Sequence, residues 1–217
     1  MEITWYGHSC FRMTERGMAT VVADPFDSRV IGYSPLRLKA DIVTISHDAP
    51  GHNNADAVKS TSHVIKGPGE FEIGSVFITG VQTDGISAGK KGREQPRNTL
   101  YVFDYEGLTV AHLGDLRQVP SQTEVEALGT VNVALVPVGG GGGLNASKAA
   151  EVVSLLEPNI VVPMHYATPE VKVTLDSLGK FLKEMGLGKP ESQPSLKVSR
   201  TGLPDETKVV VLDHQRE

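Results

Sequence analysis

The 217-residue sequence predicts an α/β fold in which sheets and helices pack as layers. Two observations carry this. Up to about residue 115, short runs of β-branched and aromatic residues recur between turn signals, as strands do. Beyond that point, amphipathic helical stretches alternate with continuous apolar runs, the mark of strands buried on both faces.

The strand candidates in the first part are Glu2 to Tyr6, Ala19 to Ala23, Asp41 to Ser46, Val76 to Gly80, Thr99 to Asp104 and Leu108 to His112. Gly67-Pro68-Gly69 and Glu106-Gly107 read as turns between them. Ser121-Gln122-Thr123-Glu124 is a capping box, in which Ser and Glu satisfy each other's backbone N–H groups, and its helix stops at Gly129. Val131 to Val138 is a buried strand. Asn145 caps a helix that runs to Glu157 and is ended by Pro158. Asn159 to Met164 is a further buried strand. Leu175, Leu178, Phe181, Leu182 and Met185 follow a helical period closed by Gly186, and Lys208 to Leu212 is a last strand. No low-complexity tract interrupts this order, so residues 1–217 are expected to form a single domain. Periodicity alone does not choose between sandwich and wound-sheet topologies.

Composition narrows the functional classes. A formal net charge of −5 argues against nucleic acid, which prefers a basic face. Cys10 is the single cysteine, so no intrachain disulfide can form, in keeping with a reducing compartment. The opening MEITWYGHS lacks the basic start and apolar core of a signal peptide, and no apolar run approaches the roughly 20 residues that span a bilayer. The expectation is a cytoplasmic chain that acts on a small molecule and binds neither nucleic acid nor membrane, with a homo-oligomer left open.

Three strand ends carry residues suited to metal. One runs into His47-Asp48-Ala49-Pro50-Gly51-His52, one into Asp115, and one into His165. In layered α/β folds, ligands bind beyond the carboxyl ends of strands, where these ends can converge. Imidazole and carboxylate are the donors of catalytic zinc, which keeps one position open for water. A bound metal lowers the pKa of that water to about 7 and so supplies a nucleophile at neutral pH.

The segments TWYGHSCF, ADIVTISHDAPGHNN, HLGDL and VVPMHY resemble the metallo-β-lactamase superfamily, in its branch of metal-dependent hydrolase-like proteins related to the ascorbate-phosphate lactonase group. KGPGEFEIGSVFITGV and LVPVGGGGGLNASKAAEVVSLLEPNIVVPMHY match as well, in the family's order, up to about Thr168. The resemblance implies a four-layer αββα sandwich with metal at one edge of the two sheets.

It also implies a damaged site. The family block reads His-x-His-x-Asp-His, and the matching positions here are His47, Ala49, Gly51 and His52. A family His that follows the strand at Val76 to Thr83 is replaced by Asp84-Gly85-Ile86. Asp115 matches the bridging Asp and His165 the late His. Only His47 survives of the first metal's ligands, whereas His52, Asp115 and His165 survive of the second's. Such a set suits one Zn, Mn or Fe ion. Restoring the block with Ala49→His and Gly51→Asp is expected to raise metal content.

Other residues carry two readings. His8, in the Gly-His-Ser motif, either reaches the metal edge, to orient a ligand or touch substrate, or pairs with backbone in a turn. Asp48 is a solvated loop carboxylate or an orienting partner of a His. Cys10 shares a strand face with His8 by alternation, yet lacks an orienting third group and reads as buried. Gly139 to Gly143 is a permissive turn without the phosphate-loop Lys-Ser/Thr, though it can line a pocket. His63 and His112 read as strand residues and His214 as a tail residue. Lys90, Lys91 and Arg93 form a basic surface loop. Two functions remain open: hydrolysis of an ester, lactone or phosphoester through one metal bound by His52, Asp115 and His165, with Asp115, His47 and His8 carrying the chemistry; or an inactive relative that uses the cleft for binding or assembly.

Overall fold

The computed structural model describes residues 1–83 and 97–215. Strands β1 (Glu2–Gly7), β2 (Cys10–Thr14), β3 (Val21–Ala23), β4 (Ile42–Ile45) and β5 (His63–Lys66) lie side by side in chain order in one sheet. The next strands build a second sheet, again in chain order across its width: β6 (Gly69–Ile73), β7 (Val76–Gln82), β8 (Thr99–Tyr105), β9 (Leu108–His112), β10 (Val133–Pro137) and β11 (Ile160–Met164). Late in the chain β12 (Leu196–Lys197) adds to the β1 edge, and β13 (Lys208–Val209) to the β11 edge. Within the first sheet β3, β4 and β5 run parallel; within the second, β9, β10, β11 and β13 do. Their carboxyl ends therefore share a direction, which is what brings distant chain segments to one edge.

Side-chain alternation explains the layers. In β3, Val21 and Ala23 join the large core between the sheets while Val22 faces the other way. In β4, Ile42 faces the inter-sheet core, and Val43 and Ile45 join the smaller cluster with Tyr6, Cys10, Phe26 and Tyr33. Every residue of β10 and β11 is buried, as their unbroken apolar runs require. Helices cover the outside: α1 (Ser28–Ile31), α2 (Gln122–Leu128), α3 (Ala146–Leu156) and α4 (Leu178–Glu184). α3 packs on α4 and on β10, with Val152, Val153, Phe181 and Leu182 buried. The fourth layer, over the first sheet, is thin. It is built from α1 and irregular chain through Tyr33 and Leu38, where Pro25, Gly32 and Pro35 prevent a long helix.

The capping box forms as predicted: Ser121 N donates to Glu124 Oε2 (2.6 Å) and Glu124 N to Ser121 Oγ (3.3 Å). Asn145 accepts from Lys148 N at 3.0 Å at the start of α3. Three expectations change. Strands β2, β6 and β12 are additional, β5 extends from His63, which read as a strand residue, and in β6 the alternation Glu70-Phe71-Glu72-Ile73 was hidden by flanking turn signals. The helix predicted from Leu175 begins at Leu178 behind Ser177, leaving Leu175 in a loop. The stretch Lys208 to Leu212 splits at Val210: its first half pairs with β11, and Val211–Leu212 pairs with Ser192–Gln193.

Candidate metal centre

The residues singled out from the sequence follow strand ends. His8 follows β1, His47 and His52 follow β4, Asp115 follows β9, and His165 directly follows β11. Asp24, at the end of β3, joins them. His8, Asp24 and His165 hold positive φ angles of 50°, 47° and 53°. Such angles strain non-glycine residues by about 1–3 kcal/mol each and persist only where the surroundings enforce them. The enforcement is visible at His8, whose carbonyl accepts from His165 N and from Trp5 Nε1, both at 3.0 Å.

All five predicted site residues line one cleft of about 710 Å³, together with Ala49, Gly51, Arg117, Gly139, Gly141 and Leu175. His47 Nε2 and His165 Nε2 each lie 3.9 Å from an Asp115 oxygen. Ring centroids are 4.2 Å apart for His47–His52, 4.2 Å for His8–His165 and 5.0 Å for His8–His52. Two overlapping groups have potential ligand atoms within 4.8 Å of one another: His8, His52 and His165, and His47, His52 and Asp115. The expected trio of His52, Asp115 and His165 is therefore spread over both groups, with His52 common to them.

Asp24, which the sequence reading did not single out, orients two of the imidazoles. It is fully buried and accepts from Ser46 N (2.7 Å), Ser46 Oγ (2.5 Å) and His52 Nδ1 (2.7 Å). The Ser46 hydroxyl proton is thereby committed, so His47 Nδ1, 3.2 Å away, donates to that oxygen. Both imidazoles are left with an Nε2 lone pair for the cleft, the arrangement by which carboxylates orient metal-binding His. Burial alone would push the Asp24 carboxyl up; the charges of His52 and His112 and the hydrogen bonds outweigh it and hold it at about 2. The signal available in the sequence was an acidic residue at the end of the apolar run Ala19 to Ala23.

Asp115 is fixed by a second missed residue. Buried Asn98 accepts from Asp115 N (3.0 Å) and donates to Leu113 O (3.0 Å). Gly114 makes this possible: its φ is +59°, and a Cβ there would run into the Asn98 side-chain oxygen and stand 2.5 Å from Ser46 Cβ. Arg117 donates to Asp115 Oδ2 at 2.9 Å.

Burial lowers the pKa of His8, His47 and His165, and repulsion from neighbouring imidazoles lowers it further. His47 and His165 are each brought down to about 4, with Asp115 pulling partly the other way. His8 is lowered by burial and then by His165, His52 and His47. At neutral pH these three rings are neutral donors. His8 Nδ1, His165 Nδ1 and Asp115 Oδ1 are buried without a hydrogen-bond partner among the described residues. Buried polar atoms are rarely orphaned, and nitrogen and oxygen donors so placed fit a divalent cation.

The remaining motifs fall outside this chemistry. Asp48 is exposed and accepts from Asn53 Nδ2 at 2.6 Å. Cys10 is buried in the smaller core cluster, and His8 lies in the turn between β1 and β2 rather than on a shared strand face with it. His112 ends β9, fully buried; its Nε2 donates to Ser9 O at 2.8 Å, and its Nδ1 accepts from Gly114 N. His63 is exposed at the start of β5. His214 packs edge-on to Trp5 and Tyr33. Asp84 and the basic run Lys90, Lys91 and Arg93 lie outside the described residues.

An α/β sandwich of two mixed sheets, with imidazoles and a carboxylate gathered at one shared edge, is the metallo-β-lactamase fold. The β-lactamase superfamily domain model matches residues 2–165, and the chain belongs to that superfamily. A metallo-β-lactamase-superfamily protein of Thermotoga maritima, known from a crystal structure, is 37% identical over 97% of both chains with a TM-score of 0.78. Among curated relatives, a metal-dependent hydrolase of Pyrobaculum arsenaticum is 31% identical over 193 residues, covering 77% of this chain and 85% of its own. Another, from Thermoplasma acidophilum, is 27% identical over 191 residues, covering 77% and 84%.

Proposed function

We propose that this protein is a metal-dependent hydrolase that uses a single divalent ion, Zn, Mn or Fe, to open an ester, lactone or phosphoester in a small molecule. The observation that carries the reading is the convergence of His52, His165 and Asp115 on one cleft, with orphaned buried donor atoms. The relatives of Pyrobaculum and Thermoplasma, both metal-dependent hydrolases, support the reaction class. His52, His165 and Asp115 would hold the ion, with His47 alongside. Bound there, it supplies Lewis acidity and lowers the pKa of water.

The protein's own groups do the rest. Asp24 keeps the His52 ring turned so that Nε2 faces the cleft. Asn98 holds the Asp115 backbone in place. His47, brought to about 4 by burial, is an unprotonated ring at neutral pH whose Nε2 can accept a proton from an incoming water. A cleft of about 710 Å³ lies within the range of small-molecule sites, and Val30, Val173 and Leu175 give it an apolar wall for the body of a substrate. The cytoplasm is part of the same proposal, since the lone Cys10 suits a reducing compartment.

A second reading, binding without hydrolysis, is favoured by Ala49, which stands in the cleft where the family block carries His. A panel of aryl ester, lactone and phosphodiester substrates separates the two. The hydrolase reading predicts turnover with added Zn, Mn or Fe that is lost in His165→Ala. Stoichiometric metal without turnover of any substrate class would leave the binding reading standing.

A further inference from the structure

The block that delivers His47 and His52 carries Gly51 where the family pattern carries a metal-binding Asp, and the structure shows what stands in its place. A Cβ at Gly51 would lie 2.6 Å from His8 Nε2 and 3.1 Å from His8 Cδ2. The His8 ring thus fills the space into which a side chain at 51 would project. It is 97% buried, and a ring nitrogen of His8 falls within 4.8 Å of ligand atoms of His52 and His165. Its backbone is pinned from two sides, by His165 N and Trp5 Nε1 on its carbonyl, so the ring is held there by the fold rather than by a mobile loop.

We propose that His8 is a metal ligand that takes over from the carboxylate missing at position 51, so that the ion is held by His8, His52 and His165 with Asp115 beside them. This rests on the single-metal reading above. The exchange is one of place: an imidazole from the β1–β2 turn enters the volume freed by the loss of a side chain after β4. It also changes the donor set. An oxygen is exchanged for a nitrogen and one negative charge is lost, which favours Zn or Fe(II) over Mn. The observed contact weighs against the expectation that Ala49→His with Gly51→Asp raises metal content, because its second substitution enters the space of the His8 ring. A carboxylate at 51 and the His8 ring cannot share this space, so one of them must give way.

Zinc titration calorimetry on the whole protein tests this with three variants. His8→Ala is expected to lose at least tenfold in zinc affinity, and Gly51→Asp alone to lose affinity as well. The double variant His8→Ala/Gly51→Asp is expected to regain it. If His8 is truncated without loss while the wild type binds one zinc, His8 is not a ligand and the single-metal site stands without it. If the double variant stays as weak as His8→Ala, the exchange of places is overturned. If the wild type binds no zinc, the metal reading itself fails and takes this inference with it. Should His8→Ala not fold, ring-nitrogen NMR of the wild type decides: zinc must shift the His8 ring signals, and unshifted His8 signals beside shifted His52 signals overturn the proposal.

Discussion

Asp24 does more for the site than its position outside the ligand set suggests. A single carboxylate without solvent contact accepts three hydrogen bonds and thereby fixes the tautomers of His52 directly and His47 through Ser46. Asp24→Asn keeps the shape but replaces an acceptor oxygen with a donor that faces donors. Metal affinity is expected to fall about 10- to 100-fold, the usual effect of losing a partner that orients a ligand, as read by competition with a chromophoric chelator. Unchanged affinity would mean that the His52 ring is held by packing alone. The contrast with His52 and His165 shows what was legible at this scale. Those residues announce themselves by type at a strand end. Asp24 also ends a strand, but its role depends on a hydrogen bond to a residue 28 positions away, which no local pattern encodes. The importance of His8 was half visible for the same reason: its motif pointed to the edge, while its neighbour Gly51 only became its neighbour on folding.

At the scale of elements, local signals worked where the chain had a strong stop or start. The capping residues of α2 and α3 and the unbroken apolar runs of β10 and β11 all appear where the sequence put them. They failed where tertiary pairing decided. Two-residue strands such as β12 exist because β1 offers an edge, and Leu175 keeps its apolar character to line the cleft rather than to extend α4. Asn145 sits at a useful junction, since it caps α3 just after the glycine-rich turn whose Gly139 and Gly141 border the site. Asn145→Ala is expected to cost about 1 kcal/mol in a urea unfolding curve, the usual value of an N-cap. Metal content is expected to be unchanged, because the cap holds the helix and not the ligands. Loss of metal in this variant would show that the turn depends on its helix.

For the whole molecule, the two-sheet architecture buries a set of imidazoles that water would otherwise protonate, and this sets a pH dependence. Folded-state pKa values of about 4 for His47 and His165, against roughly 6.5 in the unfolded chain, mean that the unfolded state takes up protons first as pH falls. His8 shifts in the same direction. Their contribution to stability is complete above about pH 6.5 and is lost between there and about pH 4. Asp24 acts with the same sign in a lower window: lowered from 3.8 to about 2, it keeps its contribution through that range and gives it up only below. Metal-free protein is therefore expected to show a falling urea midpoint from pH 7 to pH 4.5. A flat profile would place the rings in contact with solvent.

The chemistry of the cleft turns on whether one cation binds where the carboxyl ends of both sheets meet. Anomalous diffraction at the zinc edge from crystals grown with zinc measures this directly. One peak is predicted, about 2.0–2.1 Å from ring nitrogens of His52 and His165. Two peaks of equal height about 3.5–4 Å apart, or none within reach of those rings, would contradict it.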